Sequence, residues 1–275
     1  MAKIGRELHG SRPFLLQARR QPLIPNRVED LDTLVRRVDE DRWLAARFAP
    51  PLVRERLIAL CAVNYEIART AETVREGALG AIRLEWWREG LEAVGGGKAP
   101  RVHPALEALN RTLVHRSAAL EMQQIVAARV LDFEAQPFAT WADCDGYLDA
   151  TAGVLMRVSI AQCSAPGEAP EAFINSAGRA WGYTGLLRAA DFWRARGRSA
   201  LPREGGEIAA MRRRAKSHYE EARALAAALP QEVFAAIGYL ALVPGYLKAS
   251  ERGRAERPLL LRQLKLIASS ATGRV

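Results

Sequence analysis

The stretch WLAARFAPPLVRERLIALCAVNYEIAR, residues 43–69, is followed closely by IRLEWWREGL, residues 82–91. Both segments are rich in residues of high helix propensity, and neither shows the alternation that is typical of a strand. Pro51 suits the first turn of a helix, where its missing N–H leaves no intrahelical bond unmade. The two segments therefore predict a pair of amphipathic helices, one from Pro51 to about Glu76 and the other over residues 78–94.

The same helical composition continues along most of the 275 residues. Three segments rich in glycine and proline interrupt it, and they are GGG at 95–97, CSAPGEAP at 163–170 and ARGRSALPREGG at 195–206. Further helices are expected over 27–48, 105–115, 121–133, 140–162, 171–194, 207–229, 231–248 and 258–269. None of the interruptions resembles a linker between domains. The sequence thus predicts an all-α fold, a single large domain of eight to ten helices.

Composition and charge narrow the class of protein. Hydrophobic residues make up 49% and charged residues 26%, as in soluble globular proteins. No apolar run approaches the ~18–20 residues needed to cross a bilayer, so no spanning segment is expected. Three cysteines without a CxxC pair argue against a disulfide scaffold or a zinc ribbon. The net charge of +9 favours an anionic partner, which could be a lipid head group, a diphosphate or a nucleic acid.

Four motifs in order resemble those of the squalene and phytoene synthases: the two quoted above, GYTGLLR at 182–188 and ARGRSALP at 195–202. The resemblance covers residues 41–202. It implies an isoprenoid-synthase-like helical domain over residues 41–270 with a central cavity, preceded by an N-terminal extension, residues 1–40. It further implies that helices 51–76 and 171–194 face each other across the centre. In this family the reaction joins two isoprenyl diphosphates head to head.

The family's chemistry depends on two aspartate-rich motifs, and this chain departs from both. Aspartates one helical turn apart share a helix face and can hold Mg²⁺ against a diphosphate. The resemblance places the first motif at Ala68, Arg69 and Glu72, and the second at Ala189 and Trp193. Of these positions only Glu72 is acidic, and Arg69 brings a positive charge. We therefore expect no catalytic residue, no metal ligand and no cofactor, and Mg²⁺ only if the protein is an active transferase.

Residues that flank the aspartate positions match the family better. Arg188, Arg196 and Arg198 occupy positions that lie near the diphosphate in the active enzymes, according to the resemblance. Together with Glu72 they predict a remnant diphosphate or isoprenoid site. The competing interpretation is a charged helix end on the surface, and the sequence leaves both open.

The pattern Asn64-x-Glu66-Ile-Ala-Arg69, with Trp86-Trp87-Arg88, resembles one branch of this family. That branch includes assembly factor six of respiratory complex I and its bacterial relatives, which keep the fold and lose the aspartates. Taken without the resemblance, the two tryptophans would be assigned to core packing.

Three functions are weighed on these grounds. The first is a non-catalytic protein that assists assembly of a membrane respiratory complex. The second is an active transferase, in which Glu66, Glu72 and Asp191 would have to reach ligand positions. The third, a nucleic-acid-binding protein, has only charge in its favour, so no nucleic acid is expected. The expected partners are a protein of a membrane complex and an isoprenoid or anionic lipid. The expected location is the cytoplasm, peripheral to the inner membrane, or the mitochondrial matrix if the source is eukaryotic.

Overall fold

The computed structural model describes residues 30–74, 76–163 and 169–275, and within these ranges the chain is helical and contains no strand. The all-α prediction is therefore confirmed. The α-helical segments are α1 (Leu31–Val38), α2 (Glu40–Ala46), α3 (Pro51–Ala68), α4 (Thr70–Thr73), α5 (Gly77–Gly95), α6 (Pro104–Thr112), α7 (Ser117–Glu121), α8 (Gln123–Ala128), α9 (Trp141–Leu148), α10 (Val154–Ala161), α11 (Glu171–Arg194), α12 (Ile208–Ala226), α13 (Phe234–Ile237), α14 (Val243–Glu251) and α15 (Leu259–Thr272).

Several predicted helices are divided in the structure by short interruptions. The helix expected over 27–48 breaks at Asp39, whose carboxylate accepts a hydrogen bond from the backbone N–H of Arg42 at 3.4 Å and so caps α2. The helix expected over 51–76 ends at Ala68, and α4 follows after Arg69. Residues 1–29 of the predicted extension and residues 164–168 of the CSAPGEAP loop lie outside the described residues, whereas residues 31–38 form α1 and contribute to the core.

The longest helix, α11, lies at the centre of the fold. It packs along α12 and crosses a π-helical turn, Asp149–Gly153, that joins α9 to α10. At the crossing, a Cβ atom on Gly178 would lie 2.7 Å from the Cα atom of Gly153. Because any side chain at Gly178 would collide with backbone, the close approach of the two elements depends on glycine at this position.

A buried polar network ties the first helices to the last ones. Asp41 in α2 is 1% exposed, and its carboxylate accepts hydrogen bonds from Arg188 at 3.2 Å, Arg262 at 2.8 Å and the Tyr246 hydroxyl at 2.6 Å. Arg188 also donates to Glu256 at 2.8 Å. Burial, together with the nearby Asp41 carboxylate, holds the pKa of Tyr246 above its ordinary value, so the phenol remains a donor. The network therefore joins α2, α11, α14 and α15 through side chains.

One apolar stretch corrects the expectation that no run reaches a membrane-spanning length. Within the described residues, Gln231–Glu251 is long and apolar enough by length and composition. However, 78% of its most apolar window is buried inside the molecule, including α13 and the turn Gly238–Leu242 that follows it. Because most of this stretch is buried, its apolar side chains pack in the interior of the fold.

Candidate functional site

A cavity of about 180 Å³ lies between α3, α4, α9 and α11. Ala68 and Glu72 line it from α3 and α4, and Ala189 and Trp193 line it from α11. Both helical segments that carry the motif positions therefore contribute to the wall of one cavity, as the sequence predicts. Most of the remaining wall is apolar or aromatic, which suits a ligand with a hydrocarbon chain.

Glu72 lies in this wall in an environment that disfavours its charge. Burial is the largest influence on its carboxyl, and nearby arginines, Arg69 first and then Arg196 and Arg129, oppose it only partly. The result is a pKa of about 7. Its Oε1 atom is buried without a hydrogen-bond partner. Near neutral pH this carboxyl is therefore protonated in a large fraction of molecules.

A polar triad that the sequence did not reveal lies beside Glu72. The Arg129 guanidinium donates to the Asp132 carboxylate at 3.1 Å and to the Tyr147 hydroxyl at 2.7 Å, and that hydroxyl donates to Asp132 at 2.6 Å. All three residues line the cavity. Burial holds the pKa of Tyr147 well above its ordinary value. The triad places a guanidinium at the wall, already neutralised by Asp132.

Arg198 reaches the same part of the cavity from the connection after α11. It donates to the backbone carbonyl of Asp132 at 2.6 Å, and its guanidinium lies 5.5 Å from the centroid of the Trp193 ring. Arg198 lines the cavity together with Trp193. The Arg198 guanidinium and the Trp193 indole thus form one cationic and aromatic edge of the cavity.

A second ion pair lines the cavity from α2 and the residue before it. The Arg42 guanidinium donates to the Asp39 carboxylate at 2.8 Å, and both side chains are buried. Arg42 also lies over the rings of Tyr239, at 4.9 Å, and Trp181, at 5.7 Å. Its Nε atom is buried without a hydrogen-bond partner. Sequence reasoning missed this pair, because Asp39-x-x-Arg42 looks like an ordinary surface pair on a helix.

Three predicted arginines do not line the cavity. Arg188 is 6% exposed and belongs to the Asp41 network. Arg69 pairs with Glu66 at 3.0 Å. Arg196 is exposed, and it donates to the backbone carbonyl of Phe192 at 3.3 Å. Of the three, Arg196 and Arg69 still act on the Glu72 carboxyl through their charge, whereas Arg188 is engaged elsewhere in the molecule.

The comparisons with known proteins agree with this architecture. The squalene/phytoene synthase family model matches residues 35–208, which is more than half of the chain. The chain belongs to the squalene/phytoene synthase family. The matched segment runs from α1 to the beginning of α12 and includes every residue of the cavity wall that is discussed above.

Curated relatives in this family carry the name "NADH dehydrogenase (ubiquinone) complex I, assembly factor 6". The protein from Mus musculus is 21% identical to this chain over 169 residues, and the protein from Homo sapiens is 22% identical over the same length. The match covers 62% of this chain and 51% of each relative. The chain therefore matches about half the length of these relatives.

Solved structures of the family share the fold at low sequence identity. A dehydrosqualene synthase in complex with ligand superposes with a TM-score of 0.73 at 14% identity, covering 88% of this chain and 94% of that one. The squalene synthase HpnC from Alicyclobacillus acidocaldarius gives a TM-score of 0.62 at 18% identity, covering 88% and 92%. The isoprenoid-synthase-like fold that the sequence predicted is confirmed.

The family's Mg²⁺ chemistry does not fit the donors that this chain offers. Among residues 30–74, 76–163 and 169–275, no group of three or more His, Cys, Asp or Glu side chains could hold a metal ion. Four acidic residues line the cavity: Asp39, Glu72, Asp132 and Glu134. Asp39 and Asp132 each pair with an arginine, Glu72 is partly protonated near neutral pH, and Glu134 is exposed. Glu66 and Asp191, which an altered metal site would need, pair with Arg69 and Arg194 and do not line the cavity.

Proposed function

We propose that this protein is a non-catalytic member of the squalene/phytoene synthase family that assists assembly of a membrane respiratory complex of the complex I type. One observation carries the non-catalytic part. Four cavity-lining positions that correspond to the family's carboxylates hold Ala68, Glu72, Ala189 and Trp193. The single acid among them has a pKa of about 7, so it is only partly charged under ordinary conditions.

Loss of these carboxylates removes the means of stabilising a leaving diphosphate. In head-to-head condensation, the negative charge that develops on the departing group has to be neutralised, and metal ions do this in the active enzymes. Arg129 and Arg198 can attract an anion, but their bonds to Asp132 already hold them in place. Binding that is equal in the ground state and the transition state gives no acceleration. We infer that the cavity holds an isoprenoid or an anionic lipid without turning it over.

The relatives support the assembly role, because those matched are complex I assembly factors. An assembly factor of this kind acts where its client complex is inserted, so we place the protein at the periphery of the membrane. The protein would lie on the cytoplasmic face of the inner membrane in a bacterium and on the matrix face in a mitochondrion.

The catalytic part is tested with the purified chain, Mg²⁺ and either farnesyl or geranylgeranyl diphosphate. We expect no squalene, phytoene or presqualene product above the control without protein. Product formation that EDTA abolishes would instead favour an active transferase with altered aspartate motifs.

The assembly part is tested by deleting the gene in its source organism. We expect less assembled complex I on native gels and lower NADH:quinone activity in membranes, with both restored by the wild-type gene. Glu72→Gln should restore assembly equally well, because no metal-binding role is assigned to that carboxyl. Normal levels of complex I in the deletion strain would contradict the proposal.

A further inference from the structure

The C-terminal helix, α15, presents two faces of different character. Arg262, Leu266 and Ser269 face the interior and are buried, and Arg262 is fixed there by Asp41 and Glu40. The opposite side carries four exposed large apolar residues that we call the α15 stripe: Leu260, Leu261, Leu264 and Ile267. At 100° per residue, Leu260, Leu264 and Ile267 fall within a narrow arc that is nearly opposite to the buried face.

Contacts of the inner face of α15 fix which side of the helix is exposed. The ion pairs of Arg262 and the burial of Leu266 anchor the inner face along the helix. Solvent-exposed leucines that are scattered singly are common on proteins, but a contiguous apolar patch indicates an interaction surface. Here the exposed residues recur at the spacing of one helix face, so they form a continuous band.

The charge around the α15 stripe indicates what covers it. Among the exposed charged side chains of residues 248–275, five are basic and one, Glu251, is acidic. The helix itself has no acidic residue, and Lys265 is exposed beside the stripe. Lys248, Arg252 and Arg254 are exposed in the segment that leads into the helix. An apolar band flanked by lysine and arginine is the pattern of helices that lie in the surface of an anionic membrane.

A second copy of the chain suits this surface less well. The 14 residues of α15 extend over roughly 21 Å. A stripe roughly 10 Å wide on that helix offers on the order of 200 Å², whereas a stable dimer needs about 800 Å² from each partner. The concentration of positive charge would also make two such surfaces repel each other.

We propose that α15 docks this protein on anionic membranes, with the α15 stripe inserted among the lipid head groups and the basic segment 248–257 beside it. This inference deepens the membrane location that the proposed function assumes. It is tested on the purified chain with vesicles alone, so its failure and a failure of the catalytic or assembly proposals would be distinguishable.

The experiment measures co-sedimentation of the full chain with phosphatidylcholine vesicles that contain or lack phosphatidylglycerol. The test variant is Leu264→Gln/Ile267→Gln, at positions that are 54% and 57% exposed. The matched control is Leu79→Gln/Ile82→Gln on α5, at positions that are 53% and 68% exposed. We expect binding to anionic vesicles to fall at least about tenfold in the test variant, since each inserted side chain contributes to partitioning, and to stay at the wild-type value in the control.

A charge variant, Lys248→Gln/Arg252→Gln/Arg254→Gln, keeps the proposal testable if the first variant folds poorly. It should weaken binding to anionic vesicles, and added salt should weaken binding of the wild type. Unchanged binding of both variants, or an equal loss in the α5 control, would overturn the proposal. So would a wild-type dimer in sedimentation equilibrium that the stripe variant abolishes, because the surface would then belong to a second copy.

Discussion

Replacing Asp41 by asparagine tests whether the buried network holds α2 against α11, α14 and α15. The substitution keeps the shape of the side chain and one oxygen acceptor, but it removes the negative charge shared by Arg188 and Arg262. Both guanidinium groups are themselves buried, at 6% and 7% exposure, so water cannot replace the lost charge. The change therefore leaves each buried guanidinium with one carboxylate partner in place of two.

The magnitude follows from the remaining partners. Removing one partner of a buried ion pair costs about 3–5 kcal/mol. Arg188 retains Glu256 and Arg262 retains Glu40, so we expect the lower end of that range, about 3 kcal/mol. This is a large part of the roughly 5–15 kcal/mol by which proteins are stable. With a urea m-value of about 3 kcal/mol/M, the unfolding midpoint should fall by about 1 M.

Asp191→Asn is the matched control, because Asp191 pairs with Arg194 on the surface. That contact is 2.7 Å long, shorter than the 3.2 Å between Asp41 and Arg188, but the two surface side chains are 81% and 68% exposed. An exposed pair contributes at most about 1 kcal/mol. Urea unfolding followed by circular dichroism measures both variants. Equal shifts in the two midpoints would refute the reasoning that burial, and not contact distance, decides the cost.

Three further predictions concern the crossing of α11 and the cavity. Gly178→Ala should lower the free energy of unfolding in urea by about 1–3 kcal/mol, because the added Cβ would meet the backbone of Gly153. In the control, Gly185→Ala, the added Cβ has no atom within 4 Å, so the change should be neutral or stabilising by up to about 1 kcal/mol; equal effects of the two variants would contradict the prediction. Between pH 4.5 and about 7 the Glu72 carboxyl binds more protons in the folded protein than in the unfolded chain, so wild-type stability should decline as the pH rises over that range. Glu72→Gln should remove up to about 3 kcal/mol of this decline, and parallel pH profiles of the two proteins would exclude a raised pKa at Glu72. Arg198→Gln should weaken binding of inorganic diphosphate about tenfold, measured by calorimetry, because the variant loses a charge-assisted hydrogen bond from Arg198 to the anion. An unchanged affinity would show that Arg198 does not contact the anion.

The sequence was most informative where the helical pattern is long and its ends are marked by strong signals. It predicted a helix over 171–194, and α11 has the same limits; the helix predicted over 78–94 becomes α5 with one extra residue at each end. Interruptions within helices were missed. The break at Asp39 depends on one side chain capping the next helix, and composition averaged over a window cannot detect it.

The site was predictable to the extent that it depends on local motifs. Of the positions that the family motifs mark, Ala68, Glu72, Ala189, Trp193 and Arg198 line one cavity, whereas Arg69, Arg188 and Arg196 do not.

Contacts between distant parts of the chain were not predictable. Arg188 has partners 147 and 68 residues away, and nothing in its own motif indicates them. The pair Arg129-x-x-Asp132 has the spacing of any surface ion pair on a helix, and only its burial beside Tyr147 marks it as part of the cavity wall.

The contacts that pack α11 and bury Asp41 are separate from the positions of the family's aspartate-rich motifs. The close approach of α11 to the π-helical turn depends on Gly178 and Gly153. The contact of α2 with α11 and α15 depends on Asp41. None of these residues lines the cavity, so substitutions in the cavity wall leave these packing contacts intact. That separation explains why the backbone still superposes on a dehydrosqualene synthase with a TM-score of 0.73 while only 14% of residues are identical. Similarity of this kind measures the scaffold, and the chemistry has to be judged from the few side chains that face the cavity.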